Sequence, residues 1–123
     1  MAQQDQNLKV DYIEFPATDI EATKRFYNGV FGWNFQDYGP DYTSFHDGRL
    51  AGGFNKAAKP AGASSEQTCG PLIVIYAVSL EDTYAKVTAA GGKIVREIFG
   101  FPGGRRFHFA DPAGNELAVW SDK

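Results

Sequence analysis

The sequence predicts an α+β fold made of two pseudo-symmetric βαβββ modules. The first observation behind this prediction is an internal repeat. At an offset of 60 residues, DIEATKRFYNGVFGWNF from Asp19 aligns with SLEDTYAKVTAAGGKIV from Ser79. The second is that one strand-like run precedes each of these segments and three such runs follow it. A chain of 123 residues has the length of one domain, so both modules are expected to form a single unit, residues 1–123.

Each module is expected to contain one helix. Asp19 and Ser79 are favourable N-cap residues, and a glutamate follows each of them two positions later. Gly32 and Gly92 stand at matching places further along and predict the two helix ends. Apolar, aromatic and threonine side chains recur between these limits at helical spacing. They are Ile20, Thr23, Phe26, Tyr27 and Val30 in the first copy and Leu80, Thr83, Tyr84, Val87 and Ala90 in the second.

The strand-like runs are separated by turn residues. KVDYIEFPA and PLIVIYAV precede the helices; WNFQDY, YTSFHD and RLAGGFN follow the first, and KIVREIF, RRFHFA and NELAVW follow the second. Turns are predicted at Gly39-Pro40, Asp47-Gly48, Pro102-Gly104 and Asp111-Pro112. Module one is therefore placed at about 9–55 and module two at about 72–121, with a small, polar linker at 56–71.

Composition excludes several classes of protein. The net charge is −3, and no run of basic residues is longer than the two of Arg105-Arg106, so a nucleic-acid partner is not expected. No apolar run approaches about 18 residues, and the first residues lack an apolar signal segment, so neither a membrane association nor secretion is predicted. Cys69 is the single cysteine, which excludes a disulfide framework and favours a cytoplasmic location.

The motifs together resemble the vicinal oxygen chelate superfamily, which includes glyoxalase I, extradiol dioxygenases and bleomycin resistance proteins. FPATDIEATKRFYNGVFGW resembles the first-helix signature of that family, and AKVTAAGGKIV with FADPAGNELAVW resembles its second half. The resemblance implies that the strands curl into a cup-shaped mixed sheet with the helices outside. It also implies a small-molecule ligand inside the cup and makes a homodimer an expected assembly.

Metal-dependent members of the family hold their ion with four side chains in the cup. Carried over by the helix and turn landmarks, these positions are Tyr12, Gly52, Leu72 and Ala118. Glycine, leucine and alanine offer no side-chain donor to a divalent first-row metal, and a neutral tyrosine is a poor one. No metal and no other cofactor is therefore predicted. The alternative is an unusual ligand set formed by Glu14, His108 and Glu116.

Strand alternation sorts the side chains that would line the cup. If position 118 faces the cup, Glu116 and Trp120 face it too, while Leu117 and Val119 face the helices. Phe54 is taken as the first-module equivalent of Trp120, so that two rings would line opposite halves of one cavity, unless both belong to the core. The predicted ligand-binding residues are Tyr12, Phe54, Tyr76, Arg106, Glu116 and Trp120.

Two residues are candidates for acid–base catalysis. Glu14 shares the face of position 12, and burial in a partly apolar cup would suit it to general acid–base work, whereas a solvated strand carboxylate would do no chemistry. His108 alternates with Phe107 and Phe109 and faces the cup if those rings pack under the helices. His46 is expected to be an exposed turn residue.

These observations give three functional hypotheses. The first is a metal-free small-molecule-binding protein of the bleomycin resistance type, with aromatic walls around a planar or apolar ligand. The second is a lyase or isomerase acting on a small carbonyl compound or conjugate, with Glu14 as base or an unusual metal site. The third is a non-catalytic interaction module whose cup is filled by its own side chains. Fold alone does not choose among them.

Overall fold

The computed structural model describes residues 7–8, 10–56 and 72–123. Their elements follow one another as β1 (Tyr12–Ala17), α1 (Ile20–Phe31), β2 (Asn34–Asp37), β3 (Tyr42–His46), β4 (Ala51–Lys56), β5 (Ile73–Tyr76), α2 (Leu80–Ala89), β6 (Lys93–Phe101), β7 (Gly104–Ala110) and β8 (Glu116–Ser121). This order confirms the two βαβββ modules. Residues 57–71, which make up nearly all of the predicted linker and include Cys69, lie outside the described residues.

The strands form two four-stranded mixed sheets with the same topology. The first has the order β1-β4-β3-β2 and the second the order β5-β8-β7-β6. In each sheet the first and last strands of the module pair in parallel, and the remaining pairs are antiparallel. The α+β prediction is confirmed, with the strands of each module forming a sheet of their own.

Both helices begin at the predicted caps, but they end differently. The side chain of Asp19 accepts a hydrogen bond from Ala22 N, and that of Ser79 accepts one from Asp82 N. Helix α1 ends at Gly32, which has the left-handed φ of 73° that favours glycine. In α2 the left-handed residue is Gly91, with a φ of 96°, rather than the predicted Gly92.

Close packing explains the glycine at position 92. A Cβ atom there would lie 2.7 Å from Cγ1 of Val87 and 3.0 Å from the ring of Phe26. Glycine therefore lets the chain after α2 pass close to α1. The repeat aligned two glycines that have different structural roles in the two modules.

Aromatic rings from helix α1 form the centre of a core shared by both modules. The ring of Tyr27 stacks 4.6 Å from that of Trp33 and 5.2 Å from that of Phe54, measured between centroids. Phe26 reaches the other module, where its ring lies 5.8 Å from that of Phe109. Because one cluster of buried side chains takes members from both halves, the modules are packed together rather than merely linked.

The prediction of which second-module strand residues face the helices is confirmed. Phe107, Phe109, Leu117 and Val119 are all fully buried and belong to the core cluster. Alternation then places their neighbours on the opposite face of the second sheet. This is the face on which His108, Glu116 and Trp120 were expected.

A buried carboxylate at the predicted turn at Asp111-Pro112 joins the modules. The hydroxyl of Tyr27 donates to Asp111 Oδ2 at 2.9 Å, and the amides of Ala113 and Asn115 donate to Oδ1 at 2.9 and 2.8 Å. The side-chain amide of Asn115 in turn donates to the carbonyl of Pro16 at 2.7 Å. Burial raises the pKa of Asp111, although these hydrogen bonds act in the opposite direction.

Candidate functional site

We call the face of each sheet that points away from the helices and the shared core its outer face. The outer face of the first sheet carries a hydrogen-bonded group of two tyrosines and a glutamate. The hydroxyls of Tyr12 and Tyr42 are hydrogen bonded to each other, and the Tyr42 hydroxyl also donates to Glu14 Oε1 at 3.1 Å. Desolvation, followed by the hydrogen bonds with Tyr12 and Glu14, raises the pKa of the Tyr42 hydroxyl, which therefore stays neutral. Tyr42 was not among the predicted site residues.

Glu14 lies in a different environment from the one that its predicted catalytic role requires. It is exposed on β1, and its carboxylate is held by the Tyr42 hydroxyl. The partly apolar surroundings that would suit it to general acid–base work are therefore absent. The structure instead favours the alternative reading, a solvated strand carboxylate.

The strand register identifies which glycine of β4 corresponds to Ala118. Glu14 pairs with Gly53 in the first sheet, and Val74, the counterpart of Glu14 in the repeat, pairs with Ala118 in the second. By this register, the metal-ligand position that the resemblance placed at Gly52 corresponds to Gly53, one residue further along β4. A Cβ atom at Gly53 would overlap the Tyr42 hydroxyl and lie 2.7 Å from that of Tyr12. The tyrosine hydroxyls thus occupy the space of a side-chain ligand.

The same one-residue difference corrects the prediction for Phe54. Its partner in the parallel register is Phe15, and its ring stacks on those of Phe15 and Tyr27 at 5.3 and 5.2 Å. Phe54 is 0% exposed and lies in the core, so the prediction that it lines the cup is wrong. A shift of one residue moves a strand side chain to the opposite face of the sheet.

The outer face of the second sheet holds a histidine–carboxylate pair. His108 Nδ1 and Glu116 Oε2 are 2.9 Å apart, and the two side chains are only 10% and 11% exposed. When Glu116 is ionised, its carboxylate accepts a hydrogen bond from Nδ1–H, which leaves Nε2 of a neutral imidazole as an acceptor. This pairing therefore holds the Glu116 carboxylate against the sheet.

Aromatic rings lie beside this pair on the same face, where the ring of Phe99 is 5.9 Å from that of His108. The ring of Trp120 lies 5.2 Å from that of Tyr76, edge to face, and 6.2 Å from that of Phe101. The guanidinium carbon of Arg106 lies 5.3 Å from the centroid of Phe99 and 5.6 Å from that of Phe101. Strands β5, β7 and β8 thus bring together five of the predicted site residues, beside the two phenylalanines of β6: Tyr76, Arg106, His108, Glu116 and Trp120.

Phe99 and Phe101 were missed because β6 does not alternate regularly. Its pairing with β7 shifts register between Ile94 and Arg96 and again between Arg96 and Phe99. Each such irregularity changes the face on which the following side chains lie. A count of alternate residues along the sequence therefore could not place these two rings.

The side chains at the family's metal positions do not fit a metal ion. Leu72, Gly53 and Ala118 supply no donor, and Tyr12 supplies a phenol that is already hydrogen bonded. Across residues 7–8, 10–56 and 72–123, no three His, Cys, Asp or Glu residues form a group that could hold a metal. The alternative set of Glu14, His108 and Glu116 is therefore wrong, because only the last two come together.

Both the sequence and the fold have counterparts among known proteins. Residues 9–119 match the family described as the Glyoxalase/Bleomycin resistance protein/Dioxygenase superfamily. The chain belongs to this superfamily. In the part of the chain that the structure describes, no helix has the length and apolar character needed to cross a membrane.

One sequence relative and two solved structures with the same fold show the extent of the similarity. The anthracycline biosynthesis protein DnrV of Streptomyces peucetius is 33% identical, over 89% of this chain and 45% of its own length. A family enzyme from Burkholderia phytofirmans PsJN superposes with a TM-score of 0.77 at 17% identity, over 93% of this chain and all of that one. The fosfomycin resistance protein FosX from Mesorhizobium loti superposes with a TM-score of 0.75 at 17% identity, covering 93% and 92%. The chain thus spans less than half of DnrV.

Proposed function

We propose that this superfamily member is a metal-free small-molecule-binding protein that holds its ligand on the outer face of the second sheet. The observation that carries the proposal is the juxtaposition of Trp120 and Phe101 with the polar side chains of Arg106, His108 and Glu116. Aromatic surfaces beside a few placed polar groups are typical of small-molecule sites. The first sheet supports only the metal-free part of the proposal, because its tyrosine hydroxyls occupy the space that a metal-binding side chain at Gly53 would need.

Metal ions are expected to leave the stability of the protein unchanged. Thermal melts of untagged protein would be recorded with a chelator and with added zinc, nickel, iron or manganese. A metal that binds only the folded state must raise the melting temperature, and these positions lack the donors to bind one. A chelator-sensitive melt, or near-stoichiometric metal in the purified protein, would contradict this expectation.

Ligand binding is expected to stabilise the protein and to depend on Trp120. A panel of planar aromatic and carbonyl compounds would be screened by thermal shift, with anthracyclines included because DnrV is named for their biosynthesis. A compound at about one hundred times its Kd adds about 2.7 kcal/mol to the free energy of unfolding. Trp120→Ala should abolish the shift, whereas Tyr38→Ala, which changes an exposed turn tyrosine, should not.

The absence of any ligand-induced shift across the panel would count against the binder. It would favour the third hypothesis, an interaction module without a ligand. Cytoplasmic location and homodimer formation remain predictions about the same protein. Light scattering during size-exclusion chromatography would test the dimer.

The His108–Glu116 pair favours a second candidate, a lyase or isomerase acting on a small carbonyl compound or conjugate. A carboxylate that orients a histidine through Nδ1 and leaves Nε2 without a partner is an arrangement suited to general-base chemistry. Turnover that falls on His108→Gln and survives Glu14→Gln would support this candidate. Turnover in His108→Gln that equals that of the wild-type protein would exclude His108 as the base.

A further inference from the structure

Three buried polar atoms on the outer face of the second sheet have no hydrogen-bond partner among the described residues. They are Arg106 Nε, His108 Nε2 and Glu116 Oε1. Buried polar atoms are nearly always hydrogen bonded, since leaving one unpaired costs free energy. Three unpaired atoms on one face, next to aromatic rings, indicate that a ligand supplies the missing partners.

The two nitrogen atoms lie on side chains that are neighbours on this face. Arg106 and His108 are separated by one residue on β7, so their Cα atoms lie about 7 Å apart and their side chains emerge on the same side. In the antiparallel register Arg106 lies opposite Trp120, and His108 lies opposite Ala118. A polar group between the two nitrogen atoms would therefore have the indole of Trp120 beside it.

Two arginines, Arg96 and Arg106, lie on this face with one largely buried carboxylate, that of Glu116. The guanidinium of Arg106 is packed against the rings of Phe99 and Phe101, and Arg96 lies over Phe99 at 3.7 Å. Within residues 7–8, 10–56 and 72–123, neither arginine has a carboxylate partner within ion-pair distance, while Glu116 is already paired with His108. A partly buried cation without a counter-ion favours an anionic ligand.

We propose that Arg106 and His108 form a subsite for the carboxylate of a flat aromatic ligand, an aryl carboxylate. Arg106 Nε donates to a carboxylate oxygen, and His108 Nε2 donates to the same carboxylate when the imidazole is protonated. The aromatic part of the ligand packs on Trp120 and Phe101. This inference rests on the proposed function, because it names the ligand class of the same face.

Naphthoate and its neutral amide provide matched probes, with binding measured by isothermal titration calorimetry. The wild-type protein is expected to bind naphthoate at least about tenfold more tightly than the amide, since a hydrogen bond to a charged group has that effect on affinity. Arg106→Gln should remove this preference. Arg105→Gln is the matched control. Because Arg105 is paired with Glu81 at 2.6 Å, this substitution should leave the affinities for naphthoate and for its amide unchanged.

The outcomes separate this inference from the function on which it rests. If the wild-type protein binds both probes equally, or if Arg106→Gln keeps the preference, the subsite is overturned and the binder remains. The wild-type comparison needs no variant, so poor folding of Arg106→Gln would not prevent the test. If neither probe binds while other panel compounds stabilise the protein, the subsite alone is overturned. If no compound of any class binds, the proposed function fails first.

Discussion

Replacing Phe54 with alanine is expected to lower the free energy of unfolding by about 3–5 kcal/mol, the cost of removing a buried phenylalanine ring. Phe54 is fully buried, and its ring lies between those of Phe15 and Tyr27 and 5.5 Å from that of Phe45. The cavity would lie where α1 packs on the first sheet, so its walls could collapse only partly. Urea unfolding at equilibrium would measure the loss.

Trp120→Ala is the matched comparison, because the repeat suggested that Trp120 and Phe54 have equivalent roles. Trp120 is only partly buried, and its nearest ring contact is the edge-to-face pair with Tyr76. Its removal should cost less than half as much stability as the loss of Phe54, while ligand binding should be lost. Equal destabilisation by the two substitutions would contradict the placement of Phe54 in the core and of Trp120 on the outer face.

Replacing Asp111 with alanine is expected to cost about 3 kcal/mol or more, because several buried donors lose their acceptor together. The Tyr27 hydroxyl and the amides of Ala113 and Asn115 all donate to this carboxylate. No water can easily replace the carboxylate, since Asp111 is only 5% exposed and Tyr27 is fully buried. The substitution also removes the polar link between α1 and the turn before β8.

Asp47→Ala is the control for this prediction. Asp47 also accepts backbone hydrogen bonds within a strand-to-strand turn, from the amides of Arg49 and Leu50 at 2.8 and 2.6 Å, but it is exposed. Water can solvate the released amides there, so the cost should be about 1 kcal/mol. Paired urea titrations would compare the variants. If Asp111→Ala cost no more than Asp47→Ala, the carboxylate would not be a structural link between the modules.

The two predictions also bear on function, because they separate residues that stabilise the fold from residues that would contact the ligand. Asp111 and Phe54 act on the core side of the sheets, whereas Arg106, His108 and Trp120 lie on the outer face of the second one. Variants of the first group should lower stability and change ligand affinity only through unfolding. Variants of the second group should change affinity in a protein that remains folded.

The sequence alone determined the order of the elements and the chemistry at most of the family's metal positions. Asp19 and Ser79 cap the helices because their side chains and the amides that they bind are only three residues apart. The lack of metal-binding side chains at Leu72 and Ala118 could also be predicted from the sequence, since it follows from the identity of the residues. These features depend on local contacts or on composition, so no knowledge of distant packing was needed.

Only the tertiary structure decided how the strands align, and therefore which side chains of different strands come together. The separation between counterparts grows from 60 residues for Glu14 and Val74 to 65 for Gly53 and Ala118, because the connections between strands differ in length in the two modules. A strand exposes alternate residues, so one residue of error placed Phe54 on the wrong side, and the shifts in β6 hid Phe99. The pairing of His108 with Glu116 depends on the same register between β7 and β8, which backbone hydrogen bonds between strands set and which no local pattern in the sequence records.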